Sequence, residues 1–485
     1  MLSLELGDIN SILDQISATI SQILKNADSV IFYNIGGEQG IPFIVLWLIT
    51  GGLFFTIRMK LINIRAFKHA IDVVLGKYDN PNDEGEVSHF QALATALSGT
   101  VGLGNIAGVA VAISLGGPGA AFWMTIAGFL GMSTKFVECT LAQKYRLLRP
   151  DGTIAGGPMY YLSIGLADLG QKKLGQILAG MFAFLNIFSV LASTTIFQSN
   201  QSQVVVARVL PFFAQQNWLY GLIFVLIVGL VIIGGIQRIA EVATAIVPAM
   251  CGIYFFAALW VILANFTAIP DAFTSIIHGA FAPQAVAGGF VGALVQGFRR
   301  ATFSNEAGLG LAGIAHAAAK TDEPIREGIV ALLEPFLDTI VICNMTALVV
   351  VITGAYNNPE FANIGGAELT LVAFTTVIGW FPVVFAICVF LFAFSTIISS
   401  SYYGQVSWQY VFGDRSVIVY KVLFLVTVFV GTISNPETII QSADALKLTI
   451  AFPSLLGAYF LCGKVATDLE NYMKRLDTGE IISVN

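Results

Sequence analysis

Long apolar stretches, broken by short polar or glycine-bearing segments, set the pattern of this chain. Crossing a bilayer takes about 20 mostly apolar residues. On that measure the pattern predicts about eleven membrane helices, near 41–58, 88–115, 118–145, 175–207, 218–235, 240–265, 284–319, 327–354, 368–404, 416–433 and 437–463. Several are longer than a span needs and carry glycine or polar residues inside them. The N-terminal segment, 1–40, follows a different rule. There Ile9, Ile12, Leu13, Ile16, Ile20, Ile23 and Leu24 recur at helical spacing, which predicts an amphipathic helix lying on the membrane surface. Its acids Glu5, Asp8 and Asp14, with a single Lys25, differ from the basic start of a cleavable signal, and none is expected.

Composition supports the same reading. Of 485 residues, 56% are hydrophobic and 11% charged, where a soluble domain carries about 25% charged. Such a bundle forms one unit despite its length. The net charge of -6 contains no long run of either sign, so nucleic acid is not an expected partner; the lipid bilayer is. The five cysteines, Cys139, Cys251, Cys343, Cys388 and Cys462, stand in apolar segments without metal-like spacing and read as packing residues.

Basic residues in short loops set orientation. Arg58, Lys60, Arg65, Lys68 and Lys77 follow the first predicted span, and Lys144, Arg146, Arg149, Lys172 and Lys173 the third. Arg238 follows the fifth, Lys320 and Arg326 the seventh, Arg415 and Lys421 the ninth, and Lys464, Lys474 and Arg475 the last. The intervening loops carry only Lys25 and Arg208. The alternation predicts a multi-pass protein of the cell (plasma) membrane, N-terminus outside and C-terminus in the cytoplasm.

Two of the predicted spans echo each other. Val101-Gly-Leu-Gly-Asn-Ile-Ala-Gly108 and Ala307-Gly-Leu-Gly-Leu-Ala-Gly313 share a Gly-Leu-Gly core five predicted spans apart. If each marks the opening helix of a five-span repeat, the repeats cover 88–265 and 284–463 and enter the membrane from opposite sides. Glycine-interrupted spans at matching places in two inverted halves point to a transporter binding site; chance is the alternative, since glycine is common in membrane helices. The remaining segments are then an extra span with its loop, 41–87, and a cytoplasmic tail, 464–485. The expected fold is an all-α membrane protein with two broken helices.

The chemistry-bearing residues cluster near those breaks. Ser98-Gly-Thr-Val-Gly-Leu-Gly-Asn105 disfavours an unbroken helix. Backbone freed there exposes N–H groups suited to a carboxylate and carbonyls suited to a bare cation. The alternative is a close packing face of small residues, although Asn105 would then need its own partner. Arg299-Arg-Ala-Thr-Phe-Ser-Asn-Glu306 is the second break, where Arg299 or Arg300 could pair with Glu306, or these charges belong to a cytoplasmic gate that touches no ligand, and Thr302, Phe303 and Ser304 could contact substrate or ion. Ser395 and Thr396 offer hydroxyl oxygens to sodium, although the commoner role of a membrane serine is a hydrogen bond to a neighbouring helix. Gln198 and Asn200 offer amides to an amino acid, whereas Gln201 is expected at a solvated helix end. Glu334 and Asp338, one turn apart, read either as proton-relay or cation-site groups or as partners of neighbouring basic residues. Lys135 and Glu138 are expected to pair with each other or to meet the cytoplasmic interface. GxSxG, HExxH and phosphate-binding motifs are absent from the sequence, so an enzyme is not expected, nor any cofactor beyond a coupling ion.

At these residues the chain resembles the alanine or glycine:cation symporter family, also called sodium:alanine symporters. The matching stretches are Ser88-His-Phe-Gln-Ala92, Gly99-Thr-Val-Gly102, Gly104-Asn-Ile-Ala-Gly-Val109, Gly116-Gly-Pro-Gly119, Gly156-Gly-Pro-Met-Tyr160, Phe303-Ser-Asn-Glu-Ala-Gly-Leu-Gly310, Ala317-Ala-Ala-Lys-Thr-Asp322 and Ser401-Tyr-Tyr-Gly404. The resemblance implies an inverted five-plus-five fold and sodium-driven uptake of a small neutral amino acid. By it, the substrate carboxylate meets the backbone of Gly102, Leu103 and Gly104. Sodium takes carbonyls of Ser98 and Val101 and hydroxyls of Ser395 and Thr396, with Asn105 and Thr302 as further candidates. Proton coupling through Glu334, Asp338 or Glu306 is the alternative, and a channel the next.

Departures from the family pattern fall near the expected pocket. Ser399 and Ser400 replace Gly and Trp, Gln405 a Glu, Ala301 a Gly and Leu311 a Ser, and Leu103 stands where Thr is frequent. Losing an aromatic wall at Ser400 predicts a roomier pocket that admits a substrate as large as glutamine. Competition of unlabelled amino acids against labelled alanine uptake checks this: glutamine should compete, and strict preference for glycine and alanine would contradict it.

Overall fold

The computed structural model describes residues 32–35, 37, 40–80, 82–150, 152–282, 289–361, 364–435 and 444–481. The amphipathic helix predicted for the N-terminal segment lies outside them. Among the described residues, seven helices are long and apolar enough to cross a membrane, and a pair bent by 50° makes an eighth. Among the described residues, extended structure is confined to short pairings, such as Leu147–Leu148 with Ile154–Ala155.

Helix α1 (Phe43–Arg58) is followed by the short amphipathic α2 (Phe67–Val74). The bent pair is α3 (His89–Thr100) and α4 (Val109–Gly116), joined through a π-helical turn at Gly104–Gly108. Next come α5 (Gly119–Lys144), the 38-residue rod α6 (Lys172–Val209), α7 (Asn217–Ile232) and α8 (Gly235–Ala264). A half-exposed helix α9 (Ile269–Phe281) leads to α10 (Gly289–Asn305) and α11 (Ala312–His316). The remainder is α12 (Pro324–Ile352), α13 (Gly366–Thr375), α14 (Pro382–Phe412), α15 (Val417–Ile433) and α16 (Asp444–Asp477).

One predicted span is two elements. The stretch 368–404 contains the end of α13, a turn at 376–381, and α14 starting on Pro382. The turn reads Thr-Val-Ile-Gly-Trp-Phe, so hydropathy alone runs through it. Pro382 marks the start because its missing N–H falls where a helix has no partner for one. Similarly, 284–319 divides into α10 and α11 around a break.

Small residues let the helices close up, since lipid gives little hydrophobic drive for helix association. A Cβ on Gly297 of α10 would sit 2.6 Å from Trp123 Cβ and 2.7 Å from the Ala120 carbonyl of α5. One on Gly431 of α15 would meet Ile196 O of α6 at 2.8 Å. The outward faces carry exposed Leu226, Leu230, Phe256, Trp260 and Ile418, the apolar surface expected against lipid.

Candidate functional site

Helix α3 starts on a capping box: Ser88 Oγ accepts from Gln91 N at 3.2 Å, and Gln91 Oε1 accepts from Ser88 N at 2.9 Å. It ends where Gly102 is wedged against α14 and α6. A Cβ on Gly102 would lie 2.3 Å from Thr396 Oγ1 and 2.9 Å from Gln198 Nε2. The N–H groups released by the break need partners away from water. Side chains supply them: Asn105 Oδ1 accepts from Gly102 N (2.9 Å) and Gln198 Oε1 from Leu103 N (3.1 Å).

The second break lies later than expected. Thr302, Phe303 and Ser304 are still helical, and α10 runs to Asn305. The chain then turns at Glu306, whose φ of 58° is rare for a residue with a side chain. Asn305 Oδ1 accepts from Ala307 N at 2.9 Å, and Gly308 and Gly310 take the following left-handed positions, φ 94° and 74°. Lys447 of α16 caps the broken end. Its Nζ donates to Phe303 O at 2.8 Å, lies 2.9 Å from Glu306 Oε1, and sits 4.5 Å from the centre of the Phe303 ring. A cation at a helix C-terminus answers the unsatisfied carbonyls there.

The expected pairing of Glu306 with Arg299 or Arg300 therefore does not form. Both arginines turn to Asp444, at 2.5 and 2.8 Å, because α16 brings Asp444 and Lys447 to α10 together. Neither residue was singled out from the sequence. Two charges one turn apart inside an otherwise apolar predicted span were the available signal.

Asp338 joins the two breaks. It lies in a π-helical stretch of α12, Phe336–Cys343, and is fully buried. Asn105 Nδ2, from the first break, donates to its Oδ1 (2.7 Å) and backbone carbonyl (3.0 Å). Ser304 Oγ, from the end of α10, donates to Oδ2 at 3.0 Å, and Thr339 Oγ1 to the same oxygen at 2.7 Å. All these donors are neutral, and among the described residues no lysine or arginine makes an ion pair with this carboxylate. Backbone approach is close: a Cβ on Gly104 would stand 3.2 Å from Ser304 Cα.

Most of the sequence-predicted residues meet here. Gly102, Leu103, Gly104, Asn105, Gln198, Phe303 and Ser304 surround the joined breaks, and the Phe303 ring stacks edge-on to Phe197 at 5.2 Å. Ser98 Oγ donates to Ser395 O (2.7 Å) and Ser395 Oγ to Phe392 O (3.0 Å), tying α3 to α14. Val101 is buried beside them. Thr396 Oγ1 is buried without a hydrogen-bond partner, and Ser400 lies one turn further along the same helix face. Other residues are not brought in. Asn200 donates to Gly431 O and Ser434 O at the end of α15. Thr302 lines a small cavity against α1 and α5 with Gly52 and Leu130. Gln201, expected at a solvated end, is buried and accepts from Ala367 N at 3.3 Å.

A second buried polar group corrects another expectation. Lys135 pairs with Glu334 at 3.0 Å rather than with Glu138, whose carboxylate accepts from Ser454 Oγ at 3.3 Å. Cys139, His316 and Glu334 place ligand-type atoms within 4.8 Å of one another. Both His316 nitrogens already face carboxylates and Lys135 already neutralises Glu334, so the trio is part of an ion-pair network rather than a metal centre.

The wedge at Gly102 gives a direct test. Gly102→Ala should cost about 1–3 kcal/mol through forced displacement of neighbours, read as a lower melting temperature in detergent. Adding Thr396→Ala should restore part of that loss, and equal melting of the single and double variants would contradict the packing described.

Comparison with known proteins follows the same lines. Residues 22–484 match the model of the sodium:alanine symporter family. The chain is 38% identical over 432 residues to the sodium/alanine symporter AgcS of Methanococcus maripaludis, covering 89% of this chain and 94% of that one. It is 33% identical over 440 residues to the probable sodium/glutamine symporter GlnT of Bacillus subtilis, covering 90% and 89%. The structure of MhsT in complex with L-phenylalanine superposes with a TM-score of 0.56 at 13% identity, covering 78% of this chain and 89% of MhsT, so the two share a fold. The two broken helices, the family match and the relatives give one answer: the chain belongs to the sodium:alanine symporter family and is a membrane transporter of amino acids, not an enzyme.

Proposed function

We propose that this protein is a sodium-coupled symporter that imports a small neutral amino acid by alternating access. Alanine and glycine are the expected substrates, with glutamine admitted by the space at Ser400. One observation carries the reading: a buried carboxylate, Asp338, holds both helix breaks together and has only neutral partners. An uncompensated charge in the bilayer is costly. A sodium ion beside Asp338 removes that cost and draws on hard oxygen ligands from Ser304 and Thr339, with Asn105 beside them. Thr396 Oγ1, buried and unpartnered, supports a further sodium contact among Ser98, Val101 and Ser395. The amino-acid carboxylate takes the N–H groups of Gly102 and Leu103, now donating to Asn105 and Gln198. Its side chain lies toward Phe303 and Ser400.

In this reading eleven spans cross the plasma membrane: α1, then inverted repeats over 88–265 and 284–463. The N-terminus is outside and the C-terminus cytoplasmic, as the basic loops require. Inward sodium movement supplies about 2.3 kcal/mol per charge per 100 mV, plus its concentration term. A proton-coupled cycle is the second reading. It would use Asp338, since Glu306 is paired with Lys447 and Glu334 with Lys135.

Uptake of labelled alanine, glycine and glutamine into proteoliposomes tests the proposal. An imposed sodium gradient should drive accumulation above equilibrium, an imposed proton gradient should not, and Asp338→Asn should abolish accumulation. Accumulation driven by protons without sodium would establish the second reading. Equilibration without coupling would mean a channel or facilitator.

A further inference from the structure

Away from the joined breaks, a chain of buried acid and imidazole groups runs through the far ends of both broken helices. His316, the last residue of α11, has both ring nitrogens against carboxylates: Nδ1 lies 2.5 Å from Glu327 Oε1 and Nε2 2.7 Å from Glu334 Oε1. The other Glu327 oxygen meets Nδ1 of His89, the first residue of α3, and the other Glu334 oxygen takes Lys135 Nζ at 3.0 Å. His316, Glu327, Glu334 and Lys135 are fully buried and His89 is 2% exposed. A neutral imidazole has one N–H, and an ionised carboxylate only accepts. Two short contacts, one at each ring nitrogen, therefore need one proton more than a neutral ring between two carboxylates holds.

Charge counting agrees. Within the linked group of Lys135, Glu334, His316 and Glu327, Lys135 balances Glu334 and an imidazolium balances Glu327; without that proton this group carries one uncompensated buried negative charge. The surrounding groups do not supply it. On α5, Glu138 takes Ser454 Oγ, and Cys139 is a buried thiol near Glu334. Arg146, at the end region of α5, is spent on the carbonyls of Ala317, Ala319 and Thr321. Glu306 is paired with Lys447, and the Tyr403 hydroxyl of α14 has no hydrogen-bond partner. Asp79, 47% exposed, approaches His89 Nε2 at 3.9 Å and is the point where the chain meets water.

We infer that His316, held as an imidazolium between Glu327 and Glu334, is a proton-binding site that latches the cytoplasmic halves of both broken helices to α12. Glu327 is the shared anchor, for it holds His89 of α3 and His316 of α11 at once. Backbone bonds run alongside: Lys320 N donates to Val87 O and Glu86 N to Ala318 O, each at 2.8 Å. The cytoplasmic placement, and the need for these halves to part, rest on the alternating-access reading above. When they part, water reaches Glu327 and the ring loses a carboxylate partner that requires its second proton. The closed state thus binds the proton more tightly than the open one. Acid inside favours closure, and closure weakens as internal pH rises. With one proton released on opening, the opening equilibrium shifts by up to about tenfold per pH unit. The proton is bound and released on the same side, so it gates transport without being carried across.

Two measurements test this. The first is sodium-driven alanine uptake into right-side-out proteoliposomes, with external pH fixed, potential clamped and internal pH varied. Wild-type initial rates should rise severalfold from internal pH 6.5 to 8, and His316→Gln or Glu327→Gln protein that still transports should lose this dependence. Rates independent of internal pH, or a dependence unchanged in those variants, would overturn the latch. The second is nitrogen-15 NMR of histidine-labelled protein in nanodiscs at pH 7.5, the signal assigned by its loss in His316→Gln. Both ring nitrogens should be protonated, and a neutral ring overturns the proposal whatever transport shows. Should sodium drive no uptake at all, symport fails, while the ring signal still decides the proton site.

Discussion

A helix broken inside a bilayer releases backbone groups that water cannot reach, and everything else in this protein is arranged around satisfying them. At the first break Asn105 and Gln198 accept from the freed N–H groups of Gly102 and Leu103. At the second, Lys447 takes the carbonyl of Phe303, and Asn305 turns back to Ala307. Asp338 then binds side chains from both breaks, so neither can move without altering the other. The same residues that satisfy the backbone thus line the proposed site. In the proposed cycle, ion and substrate replace some of these internal partners, which couples binding to helix movement.

Charge is handled by local compensation. Arg299 and Arg300 share Asp444, Lys447 meets Glu306, and Lys135 meets Glu334. Each pair spans two helices, so removing one partner would strand the other in a medium of low dielectric. Asp338, like Glu138, has no ion-pair partner among the described residues, but it alone of the two binds side chains from both breaks. The His316 triad is different because its hydrogen bonds require a proton beyond its fixed charges. In the proposed cycle these are the places where a mobile ion changes the energy of the bundle.

Much of this was legible in the sequence. The first Gly-Leu-Gly core marks the first break; the second break, expected over 299–306, falls instead at Glu306–Gly310, where Gly308 and Gly310 adopt backbone angles that side chains disfavour. Ser98, Ser395 and Thr396, expected as sodium ligands, lie where α3 meets α14: Ser98 Oγ donates to Ser395 O, and Thr396 Oγ1 packs against Gly102 without a hydrogen-bond partner. What failed was partner choice. For Arg299, Arg300, Lys135 and Glu138 the pattern offers neighbours close in sequence among the possible partners, whereas buried charges are matched across helices whose packing a one-dimensional pattern does not contain. Asn200 was read as a pocket amide but caps α15, because its direction depends on where α15 lies. The turn at 376–381 was hidden by its own apolar residues.

The central claim is that sodium and amino acid bind one structure, the two breaks joined at Asp338. Equilibrium binding of labelled alanine and labelled sodium to the purified protein tests it most directly, because coupling between two bound ligands must be reciprocal. Sodium should raise alanine affinity by about tenfold or more, and alanine should raise sodium affinity by the same factor. Both effects should vanish in Asp338→Asn protein. Alanine binding of equal strength in sodium-free choline medium would contradict the account.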